Sequence, residues 1–422
     1  MSKLQPKHTC IALMVMLPLF ASPTWLPAQV VGGTISGTVV DASGAVTPGV
    51  TISIKSAATG VATNTVTNGV GFYSVPNLTP GNYDLTASAT GFTTYVRSGI
   101  TLAVGQELVL NLTLQVGRIT AKVEVTGAAP TVNLANSTLG GITNRTTVQE
   151  LPLNGRSWTD LAALQPGVHF VQNQPSIITE SNRVNRGLGL ELTISGGRPQ
   201  QNNYLLDGVN INSFTNGGPG SLLAGNLGVD AVSEFSVLTT NYSTEYGRTS
   251  GGVISATTRS GTNQFHGGAY EFLRNNALDA RNFFDPATIP PFRRNQYGAS
   301  AGGPIQKDKT FIFGDYEGVN QTLGTTVIDT VPSSAARAGN LSTGTVVPDP
   351  EALRYLNAFF PLPNGPVSGD TGQYSFANFQ NTVENFFIIR ADHIFSEKDR
   401  ILVTYMFDDT SQSEPDEYAF TI

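Results

Sequence analysis

Hydrophobic and polar residues alternate in short runs between residues 34 and 117, and turn residues separate these runs. In the clearest run, residues 108–116, Leu or Val occupies every second position, while Val109, Asn111, Thr113 and Gln115 occupy the other face. Strict alternation of this kind predicts a half-buried β-strand. Similar runs lie at 35–41, 50–55 and 82–89, with turn residues at 68–69, 80–81 and 90–91. The pattern predicts a β-sandwich of about 80 residues.

A second set of strand-like runs begins after Gln264, where five runs of about ten residues each are found. In the last run, Ile401, Val403 and Tyr405 share one face, while Thr404 and Asp408 belong to the more polar face. About ten residues is the length of a tilted strand that crosses a bilayer. A short turn at 396–399 and a long loop of roughly sixty residues at 320–380 fit the two ends of such a barrel. We therefore predict that 264–422 holds the first strands of an incomplete outer-membrane antiparallel β-barrel.

The middle of the chain, residues 131–263, mixes one helix-like stretch with strands and polar loops. Leu161, Leu164 and Val168 have helical spacing, and Pro166 with Gly167 closes the stretch. A hairpin pattern over 194–211 follows, and then a strand, a glycine turn and a second strand. This segment is expected to be an α+β domain.

Residues 118–130 form a linker that contains one short β-prone run, Val123 to Thr126, followed by Gly127 and Pro130. We expect this run to be an isolated strand with unpaired backbone groups on both edges. Such a strand is a candidate for addition to the sheet edge of a partner protein.

The N-terminal residues are typical of a signal peptide, predicted at 1–28. Lys3 and Lys7 precede an apolar stretch at 11–20, and small residues follow up to a cleavage point near Ala28. A buried core helix is the alternative, which the N-terminal position and the charges disfavour. Cys10 is the only cysteine, so the mature chain is expected to have no disulfide and no cysteine chemistry.

The composition points away from nucleic-acid binding and from catalysis. The net charge of −7 is spread along the chain without any Lys/Arg run, which excludes a nucleic-acid partner. His169, His266 and His393 are far apart and lack ligand spacing, so neither a metal nor another cofactor is expected. The acidic residues at 408–417 lack the order of a calcium loop and are interpreted as a solvated loop. The sequence carries no enzyme motif.

Two segments resemble known families. Residues 34–117 resemble the carboxypeptidase regulatory-like domain, a transthyretin-type sandwich with a carbohydrate-binding-like fold, through ISGTVVDASGAVTPGVTISI and TNGVGFYSVPNLTPGNYDLTASATGF. Residues 131–263 resemble the plug of TonB-dependent receptors, particularly the Oar-like group, through ELPLNGR, NNYLLDGVN and EYGRTSGGVISATTRSGTN. In these motifs Arg156, Arg198 and Arg248 are expected to brace the plug against a barrel through ion pairs.

The resemblance implies a function and a set of partners. KVEVTG looks like the TonB box of this group, so the implied TonB-binding residues are Val123, Glu124, Val125, Thr126 and Gly127. The implied activity is energised uptake of a bulky substrate across the outer membrane of a Gram-negative-type bacterium. The implied partners are TonB, outer-membrane lipid, and a glycan, a peptide or a metal chelate as substrate.

The barrel of this family closes with twenty-two strands, whereas the residues after Gln264 suffice for about five. We therefore expect the chain to be a gene fragment or a truncated sequence. The alternative hypothesis is a secreted carbohydrate-binding or adhesive surface module built from the first domain. Glycan binding by residues 34–117 alone would favour that alternative.

Overall fold

A computed structural model describes residues 32–117, 122–126, 138–151, 153, 156–171, 192–212, 218–219, 228–247, 249–280, 289, 291–396 and 399–413. The predicted signal peptide, Gly127, Arg248 and most of the acidic tail lie outside these residues. Within them, no helix combines the length and the apolar character needed to cross a bilayer. The mainly β fold class that we predicted is confirmed.

The N-terminal domain (described residues 32–117) is a sandwich of two sheets. One sheet has the order β4-β1-β7, with β8 also paired to β1, and the other has the order β3-β2-β5-β6. Its strands are β1 (Gly33–Asp41), β2 (Thr51–Ser56), β3 (Ala62–Val66), β4 (Phe72–Leu78), β5 (Gly81–Ser88), β6 (Thr94–Leu102), β7 (Glu107–Val109) and β8 (Leu112–Leu114). Alternate residues of both sheets form one buried core that includes Ile35, Ile52, Leu85 and Leu112.

The alternating run at 108–116 is divided between two strands. Leu108, Leu110, Leu112 and Leu114 are buried as predicted, since they lie on the face toward the core. Val116 is 79% exposed, so its assignment to the buried face was wrong. Val116 lies beyond the last strand that packs on the core. It forms an isolated β-bridge with Phe92 instead.

The linker strand β9 (Lys122–Thr126) is not isolated. It pairs in parallel with β6, from Thr94 opposite Lys122 to Ser98 opposite Thr126. The expectation of two unpaired edges was therefore wrong, because β6 was an open sheet edge close enough to pair with it. β9 becomes the outermost strand of a five-stranded sheet.

The middle domain (138–258, apart from the residues of that range that are not described) contains a five-stranded sheet in the order β10-β15-β16-β13-β14 and a separate hairpin of β11 and β12. These strands are β10 (Leu139–Thr143), β11 (Val168–Phe170), β12 (Leu192–Ile194), β13 (Asn203–Leu206), β14 (Val209–Asn210), β15 (Val232–Thr240) and β16 (Val253–Thr258). The helical elements are α1 (Arg145–Glu150) and the 3-10 segments Trp158–Leu164, Pro199–Gln201 and Thr244–Tyr246. The hairpin predicted over 194–211 is present only as β13–β14, at 203–210, while Ile194 pairs with Val168 of β11. The predicted pair of strands corresponds to β15–β16.

The predicted helix around Leu161 is a 3-10 helix that ends at Leu164. Leu161 is buried, but Leu164 is 63% exposed and Val168 begins β11. The helical spacing of these three residues was therefore misleading. Pro166 ends the helical run before Val168 because it supplies no backbone donor.

The C-terminal sheet is an antiparallel meander in the order β17-β18-β19-β23-β24, with β22 beside β23, and it does not close into a barrel. Its strands are β17 (His266–Asn275), β18 (Phe292–Gln306), β19 (Thr310–Pro332), β20 (Asn340–Leu341), β21 (Gly344–Thr345), β22 (Val367–Ser368), β23 (Thr371–Ile394) and β24 (Arg400–Ser413). The helical elements are α2 (Ser334–Arg337), α3 (Pro350–Phe359) and the 3-10 turn Asn276–Leu278. All five predicted runs are strands.

The long loop is shorter than the predicted 320–380. β19 and β23 remain paired to their tips, from Thr310 opposite His393 to Pro332 opposite Thr371, so the loop occupies 333–370. Residues 320–332 and 371–380 extend the two strands beyond their predicted ends. Their polar Thr, Asn and Gln residues led to the prediction of a loop. They continue the ladder because backbone pairs, together with cross-strand contacts such as Thr322 Oγ1 to Asn381 Oδ1 at 2.9 Å, need no apolar face.

Candidate functional site

The predicted TonB-binding residues lie on β9, except for Gly127, which is outside the described residues. Val and Thr favour extended backbone, and three of the five residues of β9 are of these types. Tyr95, Val96 and Arg97 of β6 lie opposite Val123, Glu124 and Val125. The strand thus adds its backbone to the N-terminal domain.

The chain that leads into β9 is fixed beside the beginning of β6. The backbone N–H of Thr93 donates to Gln115 O at 2.8 Å, and that of Gly117 donates to Gly91 O at 3.1 Å. A Cβ at Gly117 would lie 2.1 Å from Thr93 Oγ1, so any larger residue there would require the Thr93 hydroxyl to move. Five residues later the paired strand begins at Lys122.

The N-terminal domain contacts the middle domain at Glu234. The backbone N–H of Val104, just after β6, donates to a carboxylate oxygen of Glu234 on β15. Burial raises the pKa of this carboxyl to about 7, and the hydrogen bond from Val104 opposes the shift. Glu234 therefore places a titratable carboxyl at this junction.

Asn263 connects the N-terminal domain with the turn between β18 and β19. Its Nδ2 donates to Thr59 O at 2.7 Å and to Asp308 Oδ1 at 2.7 Å. Its backbone N–H donates to Ala58 O at 3.1 Å, and its Oδ1 accepts from the Asp308 N–H at 2.9 Å. One amide side chain thus bridges two loops that are far apart in sequence.

The first of two ion-pair groups joins the middle domain to the C-terminal sheet at Arg156. Its guanidinium contacts Asp230 Oδ2 at 2.6 Å and Glu317 Oε1, on β19, at 3.2 Å. Glu317 is fully buried and also accepts from the Gly228 N–H at 2.9 Å and from Gln296 Nε2 at 2.6 Å. The predicted bracing role of Arg156 is confirmed.

The second group surrounds Arg390 on β23. Its guanidinium contacts Asp392 Oδ1 at 2.8 Å and Asp207 Oδ1 at 3.4 Å, and it donates to Thr258 O at 2.7 Å. Asp207 and Gly208 have φ of 48° and 82°, the left-handed backbone of a two-residue hairpin turn. This turn points Asp207 at the C-terminal sheet, where Thr404 Oγ1 donates to its Oδ2 at 2.8 Å.

Sequence reasoning missed Arg390, although a signal was present. Residues two apart on a strand share a face, and Arg390 and Asp392 follow four apolar residues at 386–389. A cation and an anion two residues apart, directly after an apolar run, indicate a buried pair.

Arg198 does not brace the two parts together. It is exposed at the start of the Pro199–Gln201 turn, where its backbone N–H donates to Gln201 Oε1 at 2.8 Å. The expectation was wrong for this residue because its side chain faces solvent. In the described part of the chain, no cluster of three or more His, Cys, Asp or Glu residues has the geometry of a metal site.

Three family models match the chain in succession. A carboxypeptidase regulatory-like domain matches 34–115, a TonB-dependent receptor plug domain matches 142–253, and an outer membrane beta barrel domain matches 257–421. Together they follow the order that the motifs predicted.

One curated relative is the TonB-dependent transporter Oar of Myxococcus xanthus, 29% identical over 299 residues. The match covers 67% of this chain but only 26% of that protein, so the chain spans about a quarter of the relative's length.

Two solved structures are also similar. A mutant ferric enterobactin receptor of Pseudomonas aeruginosa is 14% identical with a TM-score of 0.37, covering 65% of this chain and 33% of that one. The outer membrane transporter YddB of Escherichia coli is 15% identical with a TM-score of 0.35, covering 60% and 32%.

Proposed function

We propose that this chain, which carries the domains of an Oar-like TonB-dependent receptor of the outer membrane, takes part in energised uptake of a bulky substrate. The observation that carries the proposal is the pair of buried ionic contacts, at Arg156 and Arg390, between the middle domain and the C-terminal sheet. A domain held in this way on the inner face of a barrel blocks the lumen and can be displaced without breaking a covalent bond.

TonB is the proposed partner, and it binds Val123, Glu124, Val125, Thr126 and Gly127. Strand addition supplies affinity through main-chain hydrogen bonds, and β9 has the extended backbone that this mode needs. Tension on β9 then passes to the middle domain, which follows it directly in the chain. The chain has a transport role in this proposal and no catalytic one.

The substrate belongs to one of three classes: glycans, peptides or metal chelates. Each is too large for a simple pore and therefore calls for a plug that moves. The proposed energy source is the proton gradient of the inner membrane, which TonB transmits.

Binding of TonB tests the proposal. In the detergent-solubilised chain, residues 123–127 are replaced by a Gly/Ser segment of equal length, and the periplasmic domain of TonB is titrated by calorimetry. We expect loss of binding, because Gly/Ser does not hold a strand. A matched replacement at 131–135 leaves binding intact. Equal binding by all three chains would refute the assignment of these residues.

A further inference from the structure

The outer edge of β9 has no paired strand in the part of the chain that the structure describes. In the sheet β3-β2-β5-β6-β9, β6 is the only neighbour of β9 among the described residues, and five residue pairs hold them in parallel register. An outermost strand presents a row of backbone donors and acceptors along its other edge. Within the described residues, the strand that resembles a TonB box is therefore paired on one side only.

The direction of β9 places this edge along the side of the domain. β2 and β6 run in the same direction, since both are antiparallel to β5, and β9 is parallel to β6. The chain after β2 contacts Asn263 through Thr59, and the chain after β6 contacts Glu234 through Val104. The end of the sheet at which β2 and β6 finish therefore contacts the rest of the molecule. The long edges of the sheet extend away from this contact.

The chain five residues before β9 is also held by the N-terminal domain. The hydrogen bonds of Thr93 to Gln115 and of Gly117 to Gly91 hold the incoming chain next to the start of β6. A strand that is already extended and in register loses less conformational entropy when it binds than a flexible segment does. Such a strand also offers its partner one defined edge.

We propose that TonB adds as a sixth strand to the free edge of β9 while β9 stays paired with β6. This proposal rests on the proposed function, in which TonB binds β9. The N-terminal domain then forms part of the TonB-docking surface, because β6 holds the strand in the conformation that TonB recognises. TonB does not need to remove β9 from the domain in order to bind.

A disulfide between β6 and β9 tests the proposal. Val96 and Glu124 are opposite each other in register, so V96C and E124C together, in a chain with C10S, place two thiols within disulfide reach. The control pair S53C and T86C joins β2 to β5, which are also in register, without touching β9. The periplasmic domain of TonB is titrated against each full chain, oxidised and reduced.

We expect the oxidised V96C/E124C chain to bind TonB as tightly as its reduced form, within about twofold, and the control pair to behave in the same way. Loss of binding by more than about tenfold on oxidation of V96C/E124C alone would overturn the proposal, because TonB would then require release of β9 from β6. Failure of the V96C/E124C disulfide to form in the folded chain would also overturn it. If neither form binds TonB, and the unmodified chain does not bind either, the proposed function itself fails.

Discussion

At the scale of single residues, the contacts between the middle domain and the C-terminal sheet depend on charges removed from water. The Arg390 side chain is 2% exposed, and those of Asp207 and Glu317 are 6% and 0% exposed. A buried charge is tolerated only when a partner compensates it, and removal of one partner leaves the other uncompensated. These contacts are therefore strong only as long as they stay complete.

Substitution R390L should destabilise the middle domain by about 3–5 kcal/mol, because Asp207 and Asp392 lose their shared cation. Trp158 is a suitable probe, since it is 3% exposed and packs against Phe235. The midpoint of urea unfolding, followed by its fluorescence, should shift to a lower urea concentration. The control R354L removes an exposed pair with Glu351 and should change stability by less than about 1 kcal/mol. Equal midpoints for R390L and the unmodified chain would contradict the bracing role.

Folding around the buried Glu234 carboxyl should become less favourable as the pH rises, although the hydrogen bond from Val104 itself favours the ionised form. Burial raises the pKa of the Glu234 carboxyl from 4.5 to about 7, so folding favours its protonated form. The resulting stabilisation is fully present below pH 4.5 and is lost as the pH rises through about 7. The urea concentration at the midpoint of unfolding, followed by Trp158 fluorescence, should therefore decrease from pH 5 to pH 8. E234Q should make this decrease smaller. An identical pH profile for E234Q would show that other groups control it.

Sequence predicts charged contacts of this kind only in part. Arg156 was found because it lies in a recognisable motif, ELPLNGR. Arg390 was not, because its partner Asp207 is far away in sequence and only the hairpin turn at Asp207 brings the two together. A pair of this kind depends on which face of each strand points inward.

At the scale of secondary-structure elements, alternation located the strands but not their partners. The five runs after Gln264 became β17, β18, β19, β23 and β24, although β17 and β24 are exposed along most of their length. The pairing of β9 with β6 was not predictable, since the run at 123–126 contains no information about which sheet edge is open. The helical spacing at Leu161 failed where Pro166 interrupted it.

Substitution G37A tests the close approach of strand β1 to the segment between β7 and β8. A Cβ at Gly37 would lie 1.9 Å from the backbone oxygen of Leu110, which cannot move without disturbing the pairing of β1 with β7 and β8. Overpacking of this kind costs about 1–3 kcal/mol. Hydrogen exchange of the amides in β1 should accelerate accordingly. G69A, where a Cβ meets nothing within 4 Å, should leave exchange unchanged. Unaltered protection of β1 in G37A would contradict this packing.

At the scale of the whole molecule, the elements form a chain of contacts from the proposed TonB-binding strand to the C-terminal sheet. β9 pairs with β6, the N-terminal domain contacts Glu234 and Asn263, and Arg156 and Arg390 connect the middle domain to β19 and β23. The family resemblance predicted the order of these parts. Of the residues that join them, Asp207 and Asn263 lie in a turn and a loop, where alternation gives no signal. Glu234, Glu317 and Arg390 lie on strands, where alternation does not identify the partner.

The most direct test of the account is to pull on TonB. The detergent-solubilised chain is attached to a surface through its C-terminal sheet, and the bound periplasmic domain of TonB is retracted in a single-molecule force experiment. We predict stepwise lengthening as the middle domain unfolds, about 3.3–3.6 Å for each residue released, with the first step at lower force in R390L. Detachment of TonB without any lengthening of the chain would contradict the account, because the middle domain would then not be moved through β9.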